Sequence, residues 1–155
     1  MKSKMAAGQA VAMGYRNVYW YKEGLAGWKK GHNLLESFNF KYAHRKIPEP
    51  ITPRALVEKL RSDPRYLLID IRDENSRQKD GLIDGPTEAL PLYQFHSDYT
   101  RLPDDKILVI YDIRAKQAPA AIRYLLEKKY YFTHLTYLKG GISAWVTEGL
   151  PVKAF

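Results

Sequence analysis

The stretch KILVIYDIRAKQAPAAIRYLLEKK, residues 106–129, decides how the chain folds. Ile107 to Tyr111 are apolar without alternation, the mark of a strand covered on both faces. From residue 117 the spacing becomes helical, and Pro119 falls in the first turn, where its missing N–H leaves no bond unmade. Between strand and helix lies the turn DIRAKQ, Asp112 to Gln117. A strand that runs through a short turn into a helix belongs to a parallel sheet. In such sheets chemistry gathers at the turn, because helix-terminal N–H groups converge there on an anion. Here the residue at the head of the turn is already an anion.

The same alternation extends in both directions. Upstream, Thr52 is placed to cap a helix with Pro53 at its first position and Leu56, Val57 and Leu60 at helical spacing. YLLIDI at 66–71 is a second doubly buried strand, and DENSRQKD at 73–80 a polar helix with acids in its first turn and Gly81 to end it. TEALPL gives a short strand and residues 92–101 an aromatic-rich short helix. Downstream, HLTYL at 134–138 is a strand and GISAWVTEG a terminal helix before Leu150 and Pro151. Strands alternating with helices specify a parallel sheet with helical cover.

Composition narrows the function classes. The 155 residues suffice for one well-cored domain and not for two of ordinary size. The chain has no cysteine, which removes disulfides, thiolate metal sites and every cysteine-nucleophile mechanism. Its net charge of +8 sits almost wholly in residues 1–46, which hold nine Lys/Arg against two Glu. Those charges are scattered among aromatics and not blocked into a run, so they read as a solvated face and not as a nucleic-acid site. MKSKMAAGQAVAMG at the start has a basic opening, but Gly8 and Gln9 interrupt its apolar part and leave no signal-peptide core; an Ala-rich helix is expected. No apolar run approaches membrane-spanning length.

The first 46 residues echo the last 40. With Trp28 placed over Trp145, an offset of 117, Lys22 falls on Lys139, Gly24 on Gly141 and the strand NVYWY (17–21) on HLTYL. NLLESFNFKYAHRKIPEP is then a connector.

These residues together resemble the rhodanese-like (sulfurtransferase) family. The marks are ITPRALVEKL for its opening helix, LLIDIRDENSRQKDGLIDGPTEALPL for the stretch usually written Asp-x-Arg, polar helix, Gly-His-Ile-Pro-Gly-Ala, and YLKGGISAWVTEGLPV for the closing Gly-Gly-x-x-x-Trp-x-x-x-Gly-x-Pro. NVYWYKEGLAGW matches the closing motif again. The resemblance implies an α/β fold of three layers, with helices on both faces of a central parallel sheet of about five strands. It implies the C-terminal portion of one such domain plus a linker at 1–46 and a complete domain at 47–155. Asp70, Arg72, Gly140, Gly141 and Trp145 fall on its structural motif positions.

In that family the turn after the fourth strand opens with a cysteine and carries an arginine five residues later. Carried across, the cysteine position is Asp112, the usual glycine is Ala115 and the arginine is Gln117; the upstream histidine is Leu82. Asp112, Ile113, Arg114, Ala115, Lys116 and Gln117 are therefore expected to form a degenerate active-site loop with no catalytic residue. Carrying a sulfane sulfur requires a thiolate that attacks a donor and holds the sulfur as a persulfide, stabilised by helix-terminal N–H groups. A carboxylate can occupy the same potential but has no sulfur to extend. Cysteine-phosphatase chemistry is disfavoured for the same reason.

The expected function is a non-catalytic binding or regulatory module. The alternative is the inactive C-terminal part of a tandem thiosulfate sulfurtransferase whose cysteine lies in an upstream portion. No cofactor or metal is expected. The ligand is left open between a protein partner and a small anion, with a homodimer through residues 1–46 admitted, and neither nucleic acid nor membrane is expected as a partner. The chain reads as cytoplasmic as written, and as periplasmic if a signal-bearing portion precedes it.

Other candidates are weaker. Asp112 as a phosphoryl-accepting nucleophile would need a metal held by further carboxylates, and the loop has none. Arg114 and Lys116 read as exposed charges or partners of Asp112, with an anionic ligand as the functional alternative. Asp70 and Arg72 read as a structural ion pair or cap. His32, His44, His96 and His134 lack metal-ligand spacing. His96 beside Ser97 has no nucleophile elbow, and GLAGWKKGH lacks phosphate-loop spacing. Tyr15, Tyr19, Trp20, Tyr21 and Trp28 could stack on bases, but core and interface roles fit them better.

Overall fold

The computed structural model describes residues 2–16, 18–19, 46–128 and 130–155. The chain divides into two compact units, residues 1–41 and 42–155. In the first, the helix α1 (Lys2–Ala12) occupies the expected Ala-rich segment and ends at a left-handed Gly14. Val18 and Tyr19 carry no strand structure, and the rest of NVYWY, the GLAGWKKGH segment, His32 and His44 lie outside the described residues.

The second unit opens with α2 (Pro53–Ser62) and β1 (Tyr66–Asp70), followed by α3 (Glu74–Asp80), β2 (Leu82–Ile83) and β3 (Thr87–Ala89). After these come the one-turn helix α4 (Phe95–Asp98), β4 (Ile107–Tyr111), α5 (Ala118–Glu127), β5 (Leu135–Tyr137), α6 (Gly141–Thr147) and β6 (Val152–Lys153). Helix starts follow local chemistry. Thr52 Oγ1 accepts from the Ala55 N–H at 3.4 Å ahead of Pro53, and Asp73 accepts from the Ser76 N–H at 2.8 Å at the head of α3. Gly81 ends α3 at φ 73°, and a Cβ there would lie 2.9 Å from the Lys153 carbonyl oxygen. Glycine is needed both for the conformation and for the approach of β6 to β2, which pair antiparallel.

The main sheet is parallel, in the order β3-β1-β4-β5. Side-chain alternation along β1 and β4 sorts the core into two layers. Ile69, Leu108 and Ile110 pack with Ile122 and Leu125 of α5 and with Phe95, while Leu68, Val109 and Tyr111 pack with Leu56 of α2 and Ile142 and Trp145 of α6. This is the three-layer α/β/α arrangement. The sheet has four strands where about five were expected. Ile51 supplies only an isolated parallel bridge to Leu138; its N–H reaches the Tyr137 carbonyl at 2.9 Å and its carbonyl accepts from the Lys139 N–H at 2.8 Å. Pro50 and Pro53 flank it, and a proline has no N–H to extend a ladder.

The closing motif has a packing explanation. Trp145, fully buried against Leu56, donates from Nε1 to the Pro151 carbonyl at 2.9 Å, tying the end of α6 to the chain that becomes β6. Among the described residues no helix is long and apolar enough to cross a membrane.

At the turn from α2 into β1, the Arg65 guanidinium and then its backbone N–H hold the exposed Asp63 carboxylate at about 2, below the ordinary 3.8. Because the folded value is depressed, whatever stability this pair contributes is present above the ordinary value and lost as pH falls from 3.8 to about 2. Carboxyl-carbon NMR is expected to give Asp63 a midpoint of about 2. In Arg65→Gln the midpoint moves back towards 3.8.

Candidate functional site

Parallel strands place their carboxyl ends together, and β1 and β4 are neighbours in register, Asp70 beside Tyr111. From β1 the chain crosses to β3 on one side, and from β4 to β5 on the other, so the β1/β4 boundary is where the winding reverses. Ligands in open parallel sheets sit in the crevice at that point. The expected loop lies there, directly after β4.

Asp112 is 3% exposed, and its carboxylate is fully engaged by backbone. Oδ1 accepts from the N–H groups of Arg114 at 2.9 Å and Ala115; Oδ2 accepts from Gln117 and from Ala118 at 3.0 Å. Four N–H groups from one turn and the start of α5 thus converge on two oxygens, which is a nest for an anion. The side chains of Arg114 and Lys116 take no part: among the described residues neither is ion-paired or hydrogen-bonded, so they are exposed charges and not partners of Asp112. Wrapping the turn around the carboxylate requires Ala115 to adopt φ 57°, a conformation that disfavours any residue with a Cβ. This is the position where the family usually has glycine.

The loop is supported from below by α6. Its first N–H groups donate to loop carbonyls, Ile142 to Asp112 at 2.9 Å and Ser143 to Ile113 at 3.0 Å. The contact is close because residue 141 is glycine: a Cβ there would stand 2.5–2.6 Å from Asp112 O, Arg114 N and Ile113 C, and φ is 62°. Gly140, at φ 73°, would put a Cβ 2.6 Å from that of Ala144. Of the paired glycines, Gly141 therefore serves the turn at Asp112, and Gly140 serves the first turn of α6.

Beside the loop, Asp70 and Arg72 form a bidentate pair, Nε to Oδ1 at 2.9 Å and Nη2 to Oδ2 at 2.7 Å, both side chains buried. The Arg72 N–H closes a turn on Oδ1 at 3.0 Å, and Nη2 also donates to the Gly81 carbonyl at 2.8 Å. Tyr111 OH donates to Oδ2 at 2.7 Å; burial, followed by the Asp70 charge, pushes the phenol far up, so it stays a donor. The Arg72 guanidinium is thus paired inside the protein through Nε and Nη2, while Nη1 is buried without a hydrogen-bond partner and lies 3.9 Å from Asp80 Oδ2. Tyr111 carries this role without any motif pointing to it; the only sign is an aromatic hydroxyl ending an aliphatic strand.

Over the loop opens a pocket of about 410 Å³ lined by Ile71, Arg72, Asp73, Ser76, Leu92, Tyr93, Ile113 and Gln117. Sequence reasoning missed Leu92 and Tyr93, which come from the irregular segment after β3 and carry no local signal. Of the motif residues, Trp145 lies away from this pocket, in the core layer below α2. His134 Nδ1 is 3.2 Å from the Asp104 carbonyl oxygen, and His96 packs edge-on to Tyr124. Among the described residues no group of three or more His, Asp or Glu could hold a metal ion.

Two substitutions test the packing of the turn. Gly141→Ala is expected to lower stability by more than about 3 kcal/mol in urea unfolding, because backbone is what it meets. Ala115→Gly is expected to raise it by about 0.5–1 kcal/mol, since relief of the left-handed strain exceeds the added freedom of the unfolded chain.

Residues 52–148 match the family model for the rhodanese-like domain. A sulfurtransferase of Allochromatium vinosum is 30% identical over 104 residues, which cover 67% of this chain and 94% of that protein. Among solved structures, a rhodanese-related protein of Thermoplasma volcanium superposes with a TM-score of 0.61 at 21% identity, over 70% of this chain and 100% of its own. A rhodanese-like domain protein of Staphylococcus aureus gives 0.58 at 20%, over 69% and 100%. The four-stranded parallel sheet with its helical cover agrees with a family model that spans more than half of the sequence: the chain belongs to the rhodanese-like domain family.

Proposed function

We propose that the rhodanese-like domain of this chain is a non-catalytic module that binds a ligand or partner at the pocket beside the Asp112 loop. One observation carries the reading: the nest that would stabilise a sulfur anion is filled by a carboxylate that belongs to the chain. All four converging N–H groups are taken, and no cysteine exists to accept a sulfur. The pocket itself stays open, and a retained concave site without its reacting group favours recognition over turnover.

Thiosulfate and cyanide with the full chain are expected to give no thiocyanate above a heat-denatured control. Asp112→Cys is expected to restore little, because Gln117 stands where the family has arginine and Ala115 where it has glycine. Turnover by the wild-type chain would overturn the reading. A rate in Asp112→Cys comparable to that of an active rhodanese would show that the missing cysteine alone prevents turnover and that Ala115 and Gln117 do not.

A second reading has its own support in the sequence echo at an offset of 117, Trp28 over Trp145 and Gly24 over Gly141. It makes residues 1–46 the tail of a preceding domain, and the chain the inactive part of a tandem sulfurtransferase. Translation of the coding DNA upstream of Met1 tests it, with a rhodanese-like half carrying a cysteine in its loop as the expected result.

A further inference from the structure

The carboxyl ends of the main strands form one crest, and the strand order β3-β1-β4-β5 sets the order of the residues along it. Beyond β3 the chain is uncharged from Leu90 to Gln94, and Tyr93 stands 74% exposed. Beyond β1 come Asp73 and Glu74, both exposed. Their hydrogen bonds come from neutral donors, the Ser76 N–H at 2.8 Å and Gln78 Nε2 at 3.4 Å, so both keep their negative charges. Helix α3 begins at the crest and runs back from it, as a crossover to a parallel strand must, which leaves its cations Arg77 and Lys79 behind the crest. Beyond β4 come Arg114 and Lys116, and beyond β5 comes Lys139, all exposed. Among the described residues none of these three side chains is ion-paired or hydrogen-bonded. From one edge to the other the crest is aromatic, acidic, basic and basic, with Ile113, 41% exposed, near its middle.

This order of groups is complementary to its own reverse. A two-fold axis between β1 and β4 sets β1 of one copy opposite β4 of the other, and β3 opposite β5. Asp73 and Glu74 then meet Arg114 and Lys116 twice, once on each side of the axis. Each Tyr93 meets a Lys139 ammonium, a cation–π pair. A self-complementary patch is what a two-fold contact between identical chains requires. A partner of one charge sign is attracted by one of the two central loops and repelled by its neighbour. Resting on the reading of the domain as a binding module, we propose that the partner at the Asp112 loop is a second copy of this chain, docked crest to crest about an axis between β1 and β4.

The test is sedimentation velocity of the full chain over a concentration series. The wild-type chain is expected to form a dimer that weakens as salt rises. Arg114→Glu/Lys116→Glu makes both central loops acidic; Asp73→Asn/Glu74→Lys makes both basic, and asparagine keeps the helix cap. Each variant, its fold checked by amide NMR, is expected to dimerise about tenfold or more weakly when alone. Mixed in equal amounts the two are expected to recover a heterodimer, because in that pairing every acidic loop faces a basic one. Tyr93→Ser and Lys139→Gln probe the outer contact independently, and each is expected to weaken the wild-type dimer. A chain that stays monomeric throughout the series overturns the inference. So does a dimer indifferent to the charge variants and to Tyr93→Ser, or a mixture that recovers nothing. Each of these results leaves the module reading standing, since that reading falls to thiocyanate production by the wild-type chain.

Discussion

The strand β4 is buried on both faces and ends in a buried charge, and most of the second unit can be read as what those two conditions require. Leu108, Val109, Ile110 and Tyr111 are without solvent contact. Burying each such aliphatic side chain stabilises the fold by about 1.5–3 kcal/mol, which needs helices on both sides of the sheet. The next residue, Asp112, reverses the chemistry, since an unpaired carboxylate in that place would cost several kcal/mol or more. The cost is offset locally, by bending the turn until four N–H groups point at two oxygens. From that bend follow the left-handed Ala115, the glycine at 141 and the placing of the first turn of α6 against the loop carbonyls.

The functional reading grows from the same constraint. Converging N–H groups stabilise negative charge whether it is transient or permanent. In a sulfur-carrying domain the charge comes and goes on a thiolate; here the N–H groups of the loop meet a carboxylate that belongs to the chain. Asp70, Arg72 and Tyr111 make a second closed arrangement next to it. Arg72 points inward to Asp70 and Gly81, and its guanidinium orders the β1 turn. The pocket beside them offers apolar surface and the Asp73 carboxylate, and the loop carries two exposed cations.

Much of this was legible in the sequence because it rests on local chemistry. The unbroken apolar runs marked β1 and β4, Thr52–Pro53 and Asp73 marked helix starts, and Gly81 marked a stop. The turn from Asp112 to Gln117 could be placed between β4 and α5, with a carboxylate at its head. The family resemblance suggested about five strands, and the main sheet has four, because Pro50 and Pro53 on either side of Ile51 hold its pairing to a single bridge. Tyr93, Leu92 and Tyr111 were not seen as site residues. Two of them lie in an irregular connection, and the third was counted as core, which it also is.

By itself the sequence determined the order of strands and helices, the parallel sheet and the absence of a thiol. These follow from hydrophobic period, from capping residues and from the absence of cysteine, all of which act within a few residues or in the chain as a whole. Only the tertiary structure decided that Asp112 is saturated by backbone and not by Arg114 or Lys116. It also decided that Gly141 is glycine for the sake of a turn some thirty residues away, and that an open pocket survives over the loop. Each of these depends on which groups meet when β1, β4 and α6 are brought together, and no local pattern encodes that meeting.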